Sequence, residues 1–358
     1  MTFLIAAAGT GGHVYPGLAV GEALVDGGVS PREILFVGGD RLEAKVYPER
    51  GFPFLRVDLR GLRRSLSPQN LTLPLVMRRA ARRIEEAIGE RSIEVALGMG
   101  GYVTIPTAMA ARRQKAVLMV AEQNAGAGLA NRVAGRGAQR QFVAFPAVRG
   151  LPRGEWVGNP VRKPFHEFNR TRLRVAALTR YGLNGETPVV GAFGGSLGAG
   201  VINAAMEDLV SGWAGSPIQV LHLTGERGFD RIEALPDGGV ETWARVPFES
   251  EMEHFYAVSD LVVSRSGGGV AELTATGTPS VLIPGAFGSS GHQMANARFL
   301  ETAGAAIVVA EQDIGDLPAV VDDLAGDRNR LGDMAAAALL ISKPEAAKTI
   351  AAAMIEAA

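Results

Sequence analysis

The sequence predicts an α/β protein of two doubly wound domains, each a parallel sheet with helices on both faces. Three observations carry this expectation. Short apolar runs alternate with amphipathic stretches along nearly all of the 358 residues. The pattern restarts near Pro188, so both halves open with a strand, a Gly-rich turn and a helix. Between the halves, Gly158-Asn159-Pro160-Val161-Arg162-Lys163-Pro164 holds two prolines that stop regular structure.

In the first half, Phe3–Ala7, Ile34–Val37, Val95–Leu97, Val117–Val120 and Gln141–Ala144 read as buried strands. Helical patterns lie near Pro16–Asp26, Leu73–Ile88, Ile105–Arg113 and Gly128–Ala134, with Pro16 placed at a helix start, which proline favours. In the second half the strands are Pro188–Phe193, Ile218–Leu223, Val240–Ala244, Leu261–Val263, Ser280–Ile283 and Ala306–Val309. A helix runs from about Gly200 to Val210, and the Ala-rich Pro344–Ala358 is helical. The expected division is 1–160, 161–343 and a final helix over 344–358.

Composition narrows the function classes. Hydrophobic residues make up 47% and charged residues 20%, which excludes disorder and supplies two cores. With 36 basic and 37 acidic residues the net charge is −1, which argues against a general nucleic-acid binder. The absence of cysteine excludes a disulfide framework, a thiolate zinc site and a Cys nucleophile, and fits the cytoplasm. No signal peptide is legible at the N-terminus, and the uncharged stretch Val95 to Ala111 is too short and too broken by glycine and proline to span a bilayer. If the protein meets a membrane, it lies on it.

Four glycine-rich clusters carry the candidate chemistry. The first, Gly9-Thr10-Gly11-Gly12-His13-Val14-Tyr15-Pro16, follows a strand. Small residues there let backbone amides approach a phosphate, although a tight turn alone would also use them. It is no dinucleotide fingerprint, since Val14 stands where the third glycine belongs. The second, Gly194-Gly195-Ser196-Leu197-Gly198-Ala199, also fails that spacing, and neither loop continues into the Gly-Lys-Ser/Thr of a nucleoside-triphosphate loop. The third, Ser264-Arg265-Ser266-Gly267-Gly268-Gly269-Val270-Ala271-Glu272, opens a helix. Glu272 in its first turn either accepts two ribose hydroxyls or complements the helix dipole. In the fourth, Gly291-His292-Gln293, the His-Gln pair either meets sugar hydroxyls or starts a helix. Of five histidines, His13 and His292 lie in such clusters, while His166, His222 and His254 read as structural or exposed. No H-E-x-x-H or paired-carboxylate motif appears.

Taken in order, these clusters resemble the MurG family of bacterial glycosyltransferases. The resemblance also rests on Gly98-Met99-Gly100-Gly101-Tyr102-Val103, Glu122-Gln123-Asn124, Gly128-Leu129-Ala130-Asn131, Gly158-Asn159-Pro160-Val161-Arg162, Glu272-Leu273, and Asn296-Ala297 after the His-Gln pair. It implies the GT-B fold, two Rossmann-like domains facing across a cleft, with acceptor on the first domain and donor on the second. It implies transfer of N-acetylglucosamine (GlcNAc) from UDP-GlcNAc to the undecaprenyl-linked muramyl-pentapeptide, lipid I, giving lipid II. By this resemblance Thr10, Gly11, Gly12, Asn124, Arg162, Ser196 and Glu272 are donor-site positions, with His292 and Gln293 close by. The amides of Gly194, Gly195, Gly267 and Gly268 would face the diphosphate. His13 is the candidate base, by residue type and by the family's placement of it at the cleft. No cofactor and no metal is expected, and no Asp-x-Asp is present. The sequence departs from the family at Gly268-Gly269-Val270, at Gly285–Gly291 and at Ala121, which leaves donor affinity and sugar choice open.

Rival readings are a nucleotide-dependent oxidoreductase, a non-catalytic nucleotide-sugar binder, and another GT-B enzyme such as an epimerase or secondary-metabolite transferase. The membrane expectation rests on Leu59–Ile84, which holds seven arginines (Arg60, Arg63, Arg64, Arg78, Arg79, Arg82 and Arg83) and no acidic residue. Apolar residues, Leu75 and Val76 among them, lie between the basic groups, a composition suited to an anionic surface. A solvated helix with one core-facing stripe explains the same residues. The expected location is peripheral, on the cytoplasmic face of the plasma membrane, where other cell-wall synthesis proteins would be partners.

Overall fold

The computed structural model describes residues 2–59, 72–89, 92–195, 198–229, 239–285 and 291–358. The chain forms two units, Met1–Arg162 with Pro344–Ala358, and Lys163–Lys343. In the first, β1 (Thr2–Ala6), α1 (Gly11–Asp26), β2 (Ile34–Gly38), α2 (Glu43–Glu49) and β3 (Phe54–Arg56) are followed by α3 (Leu73–Ile88), β4 (Ile93–Gly98), α4 (Thr104–Arg113), β5 (Val117–Glu122), α5 (Leu129–Gly135), β6 (Arg140–Val143) and β7 (Gly154–Trp156). The sheet order is β3-β2-β1-β4-β5-β6-β7, with every pair parallel. A sheet covered by helices on both faces needs strands apolar on both sides, which is why β1 is buried throughout.

The second unit opens with α6 (Lys163–His166) and α7 (Arg170–Tyr181), then β8 (Val189–Phe193), α8 (Gly200–Gly212), β9 (Gln219–Leu223), α9 (Glu226–Phe229) and β10 (Thr242–Val246). It continues through α10 (Met252–Val258), β11 (Leu261–Ser264), α11 (Val270–Ala275), β12 (Ser280–Leu282), α12 (His292–Thr302), β13 (Ala306–Val308), α13 (Leu317–Ala325) and α14 (Arg328–Leu340). Its sheet, β10-β9-β8-β11-β12-β13, is again wholly parallel. The expected α/β class with two doubly wound, Rossmann-like sheets is therefore the one found.

Helix α1 differs from its expected start. It begins at Gly11, so the glycine stretch itself forms the first turn and Pro16 lies inside the helix. The Thr10 carbonyl accepts from the His13 and Val14 amides at 3.0 and 3.1 Å, which closes that turn upstream of the proline. Proline needs no N–H only in the first turn; here the flanking bonds carry the helix past it. Glycines then bring α1 close to the sheet. A Cβ on Gly21 would lie 2.6 Å from the Phe36 ring, and one on Gly17 would lie 2.8 Å from Ala7 Cβ.

The final helix, α15 (Ala346–Glu356), belongs to the first unit and packs along α1. Its Ile350, Ala351, Ala353 and Met354 join Ile5, Leu18, Leu24, Phe36 and Val95 in one buried cluster. No helix among the described residues is long and apolar enough to cross a membrane. Replacing buried Met354 by alanine removes side-chain volume from this core, so Met354→Ala should cost about 2–5 kcal/mol. The check is chemical denaturation followed by a probe in the first unit, where an unshifted midpoint would show that α15 contributes little.

Candidate functional site

In each sheet the strand order reverses beside the first strand, between β1 and β4 in one unit and between β8 and β11 in the other. Connections leave such a point in opposite directions, opening a crevice at the carboxyl ends of the strands. The four segments that follow these strands are the glycine-rich ones read from the sequence: Gly9–Gly12, Met99–Gly101, Gly194–Gly195 and Arg265–Gly269. The fold thus gathers the first three glycine clusters at the switch points, while the fourth, at Gly291, follows β12.

In the first unit, His13 sits in the first turn of α1, with Thr10, Gly11 and Gly12 before it. Its Nδ1 lies 3.4 Å from Thr10 Oγ1. On its other side the ring packs on the loop after β4. Gly100 has φ +93°, and a Cβ there would lie 3.0 Å from His13 Nε2 and 3.5 Å from Asn131 Nδ2. Burial holds the His13 pKa below the ordinary imidazole value of 6.5, while Glu122 and then Glu43 pull it upward. Glu122, at the end of β5, is 4% exposed. It accepts from Asn124 N and Nδ2 at 3.2 and 3.1 Å, Gly128 N at 3.1 Å and Asn131 Nδ2 at 3.0 Å. Asn124 is thereby fixed by a carboxylate beside His13. Arg162 belongs to the same unit, its guanidinium 5.3 Å from the Tyr15 ring centroid.

Glu43 was not among the sequence candidates. It is fully buried in the first turn of α2, accepting from Gly39 N at 2.9 Å and Gly9 N at 3.3 Å. A glutamate at a helix start normally faces solvent. The only sequence signal was the Gly38-Gly39 pair just upstream, where Cβ atoms would strike the Glu43 side chain.

In the second unit, Gly194 ends the strand β8 turn so tightly that a Cβ would lie 2.2 Å from Ala199 N, and Gly195 has φ +97°. Ser196 lies outside the described residues. The cap position of α8 is Ala199, which has no side-chain oxygen to offer the first amides, so these suit an anion. Gly267 and Gly268 precede α11, and Glu272 lies in that helix's first turn. Glu272 Oε2 accepts from the Tyr256 hydroxyl at 2.9 Å. The third and fourth clusters are tied together. Ser266 Oγ donates to the Gln293 carbonyl at 2.7 Å, and Asn296 Nδ2 donates to the Ser266 carbonyl at 3.0 Å. Gln293 Oε1 accepts from Gly285 N at 2.7 Å, so this amide oxygen shapes the loop after β12. His292 begins α12 beside it. The candidates therefore fall into two sets, Thr10 to His13 with Asn124 and Arg162 in one unit, the glycines with Glu272, His292 and Gln293 in the other.

Elsewhere, α3 buries Met77, Ala80, Ala81, Ile84 and Ile88 on one stripe, while Arg78, Arg79, Arg82 and Arg83 are exposed. Leu75 is 50% exposed and Val76 half-buried. Arg60, Arg63 and Arg64 lie outside the described residues. His222 is a core residue whose Nε2 lies 3.1 Å from Asn203 Oδ1, and burial pushes its pKa down to about 4. Among the described residues one group has metal-ligand spacing, Glu251, Glu253 and His254, although Glu251 already pairs with Arg180 at 2.7 Å.

Comparisons with known proteins agree with this architecture. The family model for the glycosyltransferase family 28 N-terminal domain matches residues 3–143, and that for its C-terminal domain matches residues 189–350. The UDP-N-acetylglucosamine--N-acetylmuramyl-(pentapeptide) pyrophosphoryl-undecaprenol N-acetylglucosamine transferase of Halorhodospira halophila is 38% identical, covering 98% of this chain and 96% of its own length. The protein of the same name from Acidithiobacillus ferrooxidans is 39% identical, covering 99% and 97%. The crystal structure of Acinetobacter baumannii MurG superposes with a TM-score of 0.77 over 99% of each chain at 24% identity, a likeness of fold. With both halves matched in order and near-full-length relatives at this identity, the chain belongs to the MurG family of glycosyltransferase family 28.

Proposed function

We propose that the chain is an inverting N-acetylglucosaminyltransferase, moving GlcNAc from UDP-GlcNAc to lipid I and making lipid II for peptidoglycan. The observation that carries this reading is 38% identity over 98% of the chain to a transferase named for that reaction. An epimerase or secondary-metabolite transferase would share the fold without that near-full-length identity. A transfer assay separates them, offering UDP-GlcNAc, UDP-GalNAc and UDP-Glc with and without a lipid I analogue. Transfer of GlcNAc to the acceptor is the expected result, and turnover of UDP-GlcNAc without acceptor would overturn the reading.

In the reaction the acceptor hydroxyl oxygen attacks C1 of GlcNAc while the bond to the UDP β-phosphate oxygen breaks. His13 takes the hydroxyl proton. Its lowered pKa keeps the imidazole neutral and ready near pH 7, and the charges of Glu122 and Glu43 stabilise the imidazolium that forms. Thr10, Gly11, Gly12 and Asn124 line the approach to it. The departing diphosphate meets the amides of Gly194 and Gly195 and the backbone of Gly267 and Gly268, and by the family resemblance Ser196 and Arg162 are further donor-site positions. Glu272 accepts the ribose hydroxyls. His292 and Gln293 flank the sugar, Gln293 through the loop it holds at Gly285.

The exposed arginine face of α3, with Leu75 and Val76, supports docking on anionic lipid, in keeping with a peripheral location on the cytoplasmic face of the plasma membrane. Other cell-wall synthesis proteins are partners consistent with that place.

Three outcomes are expected. Glu272→Ala loses charge-assisted hydrogen bonds, so donor KM should rise roughly 10- to 150-fold with acceptor KM little changed; steady-state kinetics that leave donor KM unmoved would reduce Glu272 to a helix cap. His13→Ala should lower kcat roughly 10²–10⁴-fold while UDP affinity holds. The parent's acid limb of kcat/KM should lie below pH 6.5, because burial depresses the His13 pKa, and should vanish in the variant; a loss under about tenfold leaves only positioning. Changing Arg78, Arg79, Arg82 and Arg83 to Gln should remove roughly 1 kcal/mol each of attraction to anionic vesicles. Activity on a water-soluble short-chain acceptor should persist, and undiminished co-sedimentation with anionic vesicles would exclude this face.

A further inference from the structure

We infer that Tyr256 is a positioning residue for nucleotide recognition, orienting the Glu272 carboxylate toward the ribose hydroxyls. The inference rests on the ribose reading of Glu272. Tyr256 lies on α10 and is fully buried, yet its hydroxyl reaches Glu272 Oε2 at 2.9 Å, on the partly exposed first turn of α11. The hydroxyl thus spans from the core of the unit to the mouth of its switch point.

The ring has little freedom. Phe255, Phe165 and Phe193 stand edge-on around it, with centroids 5.4, 5.8 and 6.2 Å away. Phe193 is the last residue of β8, directly before Gly194. The aromatic cluster therefore joins the end of the phosphate-facing strand to the helix carrying Glu272. Gly269 completes the arrangement, since a Cβ there would lie 3.1 Å from Phe193 Cζ and 3.9 Å from the Tyr256 hydroxyl. This is one of the positions where the sequence departs from the family pattern.

A glutamate in the first turn of an exposed helix has three torsions to fix before it can accept a diol. A buried phenol fixes one carboxylate oxygen beforehand. An ionised carboxylate has about four acceptor positions, so a single bond to Tyr256 does not exhaust it. Binding then costs less side-chain entropy, and the remaining acceptor positions keep a constant direction.

The test compares UDP with 2′-deoxy-UDP by titration calorimetry on the full chain, in the parent, Glu272→Ala and Tyr256→Phe. Phenylalanine keeps the ring and its neighbours and removes only the hydroxyl. The parent should prefer UDP, and Glu272→Ala should abolish most of that preference. Tyr256→Phe should reduce it by roughly threefold to tenfold, the span of one net hydrogen bond, while 2′-deoxy-UDP affinity changes less than about twofold. In the Glu272→Ala background, Tyr256→Phe should add less than about twofold, as a residue acting through Glu272 requires. If Glu272→Ala retains the preference, the ribose reading of Glu272 fails. If Glu272→Ala loses it and Tyr256→Phe keeps it in full, the positioning role alone is overturned. Equal weakening of both nucleotides in Tyr256→Phe would make the hydroxyl merely structural and overturn it as well.

Discussion

Parallel strands cannot be joined by tight turns, so every connection in both sheets travels out through other structure and returns to the same end. Beside β1 and again beside β8 the direction of winding reverses, and two connections part instead of covering one another. What occupies the resulting gap must be small, because backbone there approaches backbone. Gly194 against Ala199 N and Gly101 against the Ala8 carbonyl are this constraint at atomic scale. The glycine clusters are a consequence of the winding, and the side chains that carry chemistry are those the winding leaves at their edges.

Around His13 the arrangement is electrostatic. An imidazole that burial keeps neutral has two carboxylates close enough to oppose that effect. Neither carboxylate is left bare, since Glu122 is surrounded by amide donors and Glu43 bridges two backbone amides. Each buried negative charge is thus satisfied by groups that also fix a loop. The same carboxylate that stabilises a proton on the ring also fastens Gly9 or Gly128 in place.

The sheet frame was legible because strands buried on both faces announce themselves as apolar runs. Most expected strands lie within one or two residues of those found. The short strands Phe54–Arg56 and Gly154–Trp156 were not legible, for they carry only three residues and no fully buried side chain. The propensity of Pro16 for a helix start is overridden by the turn closed at Thr10, which carries α1 back to Gly11. Among the site residues, His13 and Glu272 were visible from residue type and neighbouring glycines. Glu43 and Tyr256 were not, since Gly9 lies 34 residues from Glu43 and Glu272 lies 16 from Tyr256, and only the tertiary fold brings these pairs together. Gln293 was visible, but its amide oxygen is directed at the Gly285 backbone, which no spacing rule would foretell.

The place of α15 also bears on biosynthesis. The first unit's core includes Ile350 and Met354, which the ribosome releases only after all of residues 163–343. That intervening unit has its strands and cluster in one continuous segment, so it can complete its core earlier. The unit begun first is thus the one finished last, and until α15 arrives the face of α1 that it covers stays open. During synthesis that face is the natural ground for chaperone engagement or for misassociation between nascent chains.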